Sequence, residues 1–117
     1  MSLTRSLLAL VLLAPLAVAA TSRVDVTGTY HSNSDDVMLM QKGDRVVGIY
    51  ECCGGGVIEG RLIGDHVRYR WSSANGTGMG LWTVDHDRLT GTWGWDVDDQ
   101  EGGRWDLVRV PANELAK

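Results

Sequence analysis

The sequence predicts an all-β chain folded as an eight-stranded antiparallel up-and-down (meander) barrel, and three observations predict it. The pattern apolar, any, glycine, any, aromatic in Val26-Thr27-Gly28-Thr29-Tyr30 returns in Val46-Val47-Gly48-Ile49-Tyr50 and Leu89-Thr90-Gly91-Thr92-Trp93. It also returns in Val67-Arg68-Tyr69-Arg70-Trp71, with tyrosine in the glycine position. The repeats start at residues 26, 46, 67 and 89, and intervals of 20, 21 and 22 residues match two short strands and two turns, so each repeat is one hairpin. Fifteen glycines against two prolines supply many tight turns, and no window carries a helical period.

The chain opens on a different signal. Residues 1–20 carry Arg5 as their only charge, an apolar run from Leu7 to Leu13, and Ala17-Val18-Ala19-Ala20. A basic start, a short apolar core and small residues before the cut describe a signal peptide cleaved after Ala19 or Ala20. Pro15 interrupts a run already shorter than the roughly 20 residues a bilayer needs, so no membrane insertion is expected after cleavage. Residues 21–117 then form a single small domain bound for the periplasm or for secretion. Loss of Arg5 takes the formal charge from −4 to −5, and the eleven Lys and Arg are scattered. Nucleic acid is excluded as a partner, because phosphate binding draws on clustered basic residues.

Eight strands are predicted at about 24–31, 36–42, 45–52, 56–63, 66–72, 78–85, 88–95 and 103–110, with at most one turn of helix after Pro111. Closure into a barrel spares such a meander two exposed edges. Gly43-Asp44, Gly64-Asp65 and His86-Asp87 read as two-residue turns, and each fixes a register. The first sets Leu39 opposite Gly48. The second sets Gly60 opposite Tyr69 and Ile58 opposite Trp71. The third sets Trp82, Gly80 and Gly78 opposite Gly91, Trp93 and Trp95. Large rings thus face glycines, the alternation a small barrel needs to fill its interior. The other face is polar, with opposite charges in Glu59–Arg70 and Asp85–Arg88. One hairpin departs: Met38 falls opposite Ile49 and Met40 opposite Val47, leaving four apolar side chains outside. Either a partner covers this patch, or the chain's own N-terminal segment or tail does.

With Gly28-x-Tyr30 on the first strand and Arg109 on the last, the chain resembles the calycin group, in which a first-strand aromatic packs near a late basic residue. The wording of Val26–Tyr30, Val46–Glu51 and Gly76–Val84 is similar to the first, third and fifth strands of avidin and streptavidin. The resemblance implies that Tyr50, Trp82, Trp93 and Trp105 fall near that family's biotin-lining rings. Departures are Ser32 and Asn33 in place of an asparagine after the first aromatic, Cys52 in place of a serine, a fourth strand replaced by two shorter ones, and no late buried aspartate. The resemblance therefore extends to architecture and not to biotin. Small secreted bacterial barrels with the same repeat are a further likeness.

Four features bear on chemistry. Cys52 and Cys53 are adjacent, and strand alternation would point Cys52 inward and Cys53 outward. Free thiols, a disulfide between neighbours and bridges between chains all stay open, and a soft metal would need further ligands. The acidic stretch 96–103 lacks the spacing of an EF-hand loop and reads as a solvated hairpin loop. His31, His66 and His86 sit outside or in turns, with no nucleophile and orienting acid, so no enzyme and no catalytic residue is expected, and neither metal nor cofactor. Tyr50, Trp71, Trp82, Trp93 and Trp105 are the expected ligand-binding residues, against the alternative that the inward rings simply fill the core. Two function classes follow. One is a non-catalytic binding module for a small hydrophobic or aromatic ligand. The other is an envelope accessory module that contacts a protein partner, a homodimer included, through Met38, Met40, Val47 and Ile49.

Overall fold

Residues 24–115 are described by a computed structural model of the chain. Its strands are β1 (Gly28–Ser32), β2 (Val37–Lys42), β3 (Arg45–Tyr50), β4 (Gly56–Ile63), β5 (His66–Ser73) and β6 (Gly76–Asp85). They continue with β7 (Arg88–Trp95), β8 (Gly103–Arg104) and β9 (Leu107–Arg109), before a single helical turn, α1 (Ala112–Leu115). From β1 to β8 each strand pairs antiparallel with the next, and β1 closes on β9, with Tyr30 opposite Arg109. β8 and β9 both lie against β7 and are two pieces of one strand, so the barrel is closed and eight-stranded, the general architecture of calycins. The signal-peptide expectation falls on residues outside those described.

Register follows from the turns. The three tight turns take positive φ at their first residue, 63° at Gly43, 66° at Gly64 and 56° at His86. Glycine enters that region without a Cβ penalty, and histidine does so in the third turn without that freedom. Every pairing expected from these turns is present. Going round the wall, Gly60, Tyr69, Gly80, Trp93 and Gly103 sit side by side on five successive strands. A Cβ on Gly80 would stand 2.0 Å from Tyr69 Cζ, so the ring occupies the space that glycine leaves. Glu59 and Arg70 are opposite in register, but Glu59 Oε2 lies 3.4 Å from Arg45 Nη2 instead. Asp85 likewise holds the ring of His86.

Boundaries differ from expectation where side chains take over backbone bonds. Residues 24–27 are not a strand: Gln41 accepts from Val26 N at 2.9 Å and donates to Val24 O at 3.1 Å, laying the segment across one end of the barrel. There Val26 is fully buried, and Tyr30 donates its hydroxyl to the Val26 carbonyl at 2.8 Å. Arg109 finishes the seal. Its guanidinium lies 5.3 Å from the Tyr30 centroid, donates to Thr27 O and to Asp25 O, and places Nε 3.1 Å from Asp87 Oδ1. The last strand breaks at Trp105-Asp106 for a similar reason. The Trp105 carbonyl accepts the Trp82 indole N–H at 2.8 Å, and the Gly91 N–H opposite turns to the Asp106 carboxylate at 3.1 Å.

Burial pushes the Tyr30 phenol up to about 12. Burial also raises Tyr69. A phenol whose folded pKa lies above its unfolded value stabilises fully below the unfolded pKa, and the contribution drains away as pH rises through the folded one. Urea midpoints should therefore fall between about pH 10 and pH 12, with tyrosinate absorbance appearing together with unfolding. Tyrosinate forming in full while the barrel stays folded would contradict this burial.

Candidate functional site

The two ends of the barrel are unlike. Tight two-residue turns, the 24–27 segment and Arg109 close one end. Loops 33–36, 51–55, 74–75 and 96–102 surround the other. Between the two the interior is filled by side chains: Trp82 is 0% exposed and stacks on Tyr69 with centroids 4.0 Å apart and planes 25° apart.

Above this stack, at the loop end, lies a cup of about 310 Å³. Tyr50, Trp71, Trp93, Trp95 and Trp105 form its walls, with Cys52, Cys53, Ser34, Ser73 and Asn75 at its edge. Neighbouring strands aim the rings together. Gly78 lies between Trp71 on β5 and Trp95 on β7, whose centroids are 5.0 Å apart with planes at 76°. Trp93 meets Trp71 at 80° and Trp95 at 68°. Hydrogen bonds fix two walls: Trp71 Nε1 donates to Gly94 O at 3.0 Å, and the Tyr50 hydroxyl to Ser72 O at 3.2 Å. The Trp105 ring stands edge-on to Tyr50 at 5.2 Å, and its buried Nε1 has no hydrogen-bond partner among the described residues.

Four of the five expected ligand-binding rings thus meet in the cup. Trp82 does not, since it lies beneath the floor with its N–H committed to Trp105 O. Trp95, half exposed at the rim, is the wall residue the sequence reading passed over. Its register opposite Gly78, in line with Trp71, was the available signal.

Cys52 and Cys53 form a disulfide with each other. The strand ends at Tyr50, and Cys52–Gly54 turn in a 3₁₀ bend with Cys53 at φ 63°, so the alternation expected of the two cysteines does not apply. Both line the cup's edge. In the acidic loop Asp98 accepts the Glu101 N–H at 2.8 Å, and the Thr92 hydroxyl donates to Asp99 O at 2.8 Å. Asn33 joins the first loop to the last strand, accepting from Asp106 N at 2.9 Å and donating to Arg104 O at 3.1 Å. Among the described residues no group of three or more His, Cys, Asp or Glu is placed to hold a metal ion. Each histidine lies beside a nearby aspartate, and the hydrogen bond that His31 donates to the Asp36 carboxylate holds its pKa above the ordinary value.

The outer patch is present as a second concavity. Met38, Met40, Ile49 and Val57 are exposed, Met40 by 58%, and with Val47 they border a groove of about 510 Å³ on the barrel wall.

No protein-family model, curated protein or solved structure matches the chain.

Proposed function

We propose that the chain is an exported, non-catalytic binding module that holds a small hydrophobic or aromatic ligand in the cup. One observation carries this reading: five aromatic rings from β3, β5, β7 and the break between β8 and β9 surround unfilled space, while the rest of the interior is packed. Aromatic walls with a few polar groups at the edge are the usual make-up of a small-molecule site. The Tyr30–Arg109 contact at the barrel seam supports kinship with avidin-like or lipocalin-like calycins. The apolar leader with its small-residue end supports delivery to the periplasm or the medium.

Native mass spectrometry tests the reading, on mature protein purified without reduction from its own secreting host. A small molecule that leaves on denaturation is expected, and Trp95→Ala should remove it while leaving the barrel folded, because the ring sits at the rim. Ligand-free protein from that host, unchanged by Trp95→Ala, would count against the cup as a binding site.

The exposed groove favours a second reading, an envelope accessory module that pairs through Met38, Met40, Val47, Ile49 and the adjoining Val57. A dimer in sedimentation that Met40→Lys converts to monomer is the expected result. A wild type that is monomeric at every concentration removes the self-association form.

A further inference from the structure

Resting on the cup being a ligand site, we propose that its ligand is an organic cation, a quaternary or aromatic-bearing ammonium. Two independent properties of the mouth point there.

The first is charge. Loop 33–36 brings Asp35 and Asp36, loop 51–55 brings Glu51, and loop 96–102 brings four more carboxylates, with no Lys, Arg or His in any of the four loops. Seven of the chain's fifteen Asp and Glu are thus gathered at one end. Part of it is already engaged: Asp36 meets His31 at 2.8 Å, Asp99 meets Arg68 at 3.9 Å, and Asp98 caps its own loop. Asp35, Glu51, Asp96 and Glu101 make no ion pair among the described residues, and all four are exposed. Asp35, Glu51 and Asp96 are direct chain neighbours of Ser34, Cys52 and Trp95, which line the cup. A low-dielectric recess rimmed by one sign of charge focuses potential into itself and concentrates counter-ions.

The second is the wall. No charged side chain lines the cup, so it offers no carboxylate for a bare metal ion. It offers instead aromatic rings, whose faces are the negative side of a quadrupole and whose planes meet at 68° to 80°, so that they bound a corner rather than a slot. A neutral ligand gains nothing from the charge of the rim, and an anion is repelled by it. A cation wrapped in C–H groups touches more than one ring face and sits in the potential of the rim. This is the chemistry of aromatic recognition of alkylammonium groups.

The test titrates the mature wild-type protein with choline and with its carbon isostere, in which a tert-butyl group replaces trimethylammonium. The indole N–H resonances report binding, and the Trp82 resonance reports an intact core. At low ionic strength choline should bind about tenfold or more tightly than the isostere. The preference should shrink in high salt, and in Glu51→Gln/Asp96→Asn, where isostere affinity stays unchanged. Equal affinities, or tighter binding of the isostere, overturn the cation proposal and leave the cup a ligand site of neutral character. If neither compound shifts the wall resonances, the proposal is overturned. The native mass spectrum then decides the ligand-site reading by itself.

Discussion

Trp82→Ala is expected to cost about 4 kcal/mol of folding stability, read as a shift of the urea midpoint with the slope retained. The indole is fully buried, stacked on Tyr69, and donates to the Trp105 carbonyl at 2.8 Å. Truncation opens a cavity and also strands that carbonyl, because the Gly91 N–H that would otherwise have paired with it is bound to Asp106. Trp82→Phe separates the two losses. It keeps most of the ring and should cost only about 1–2 kcal/mol, chiefly the unpaired carbonyl. A loss under about 1.5 kcal/mol for the alanine variant would mean that the central stack contributes little. Ligand occupancy of a folded Trp82→Phe protein should remain, since the ring lies under the cup.

Gly80→Ala should be nearly as damaging although it adds a single methyl group. Its Cβ would stand 2.0 Å from Tyr69 Cζ and 2.1 Å from the hydroxyl oxygen, far inside contact distance. The phenol has no flexible end with which to retreat: one face lies on Trp82, and its hydroxyl donates to Thr92 O at 3.2 Å. Overpacking of this kind costs about 3 kcal/mol. The diagnosis is checked by combining Gly80→Ala with Tyr69→Leu. The double variant should be more stable than the sum of the single losses by over about 1 kcal/mol, and strict additivity would show that the two positions do not share space.

The hairpins were legible because side chains alternate with period two: once a two-residue turn is placed, every opposite pair follows, as at Gly43-Asp44 and Gly64-Asp65. The same rule says which face a residue takes and not how far along the barrel axis it sits. Depth depends on strand tilt and stagger, which only closure fixes. Trp82 and Trp95 show the difference. Both point inward from hairpin positions opposite glycine, yet one ends as core and the other as rim. The disulfide between Cys52 and Cys53 was among the states the sequence left open, but their facing was argued from an extended strand. Alternation holds only while the chain is extended, and the chain stops being extended at Tyr50. The outward facing of Met38, Met40 and Ile49 followed from register alone, since Met38 opposite Ile49 and Met40 opposite Val47 need no knowledge of the interior.

The unequal ends of the barrel carry a consequence for change over time. The three turns that determine strand pairing lie together at the closed end, where Val26, Tyr30 and Arg109 also lock the seam. Three of the four connections at the cup end are longer, and the fourth is the short 74–75 turn. Lengthening or rewriting loops 33–36, 51–55 or 96–102 leaves the register untouched, because none of them sets it. Descendants or engineered libraries of this chain are thus free to exchange one binding preference for another at the rim while inheriting the same fold, and the mutational tolerance of the two ends should differ accordingly.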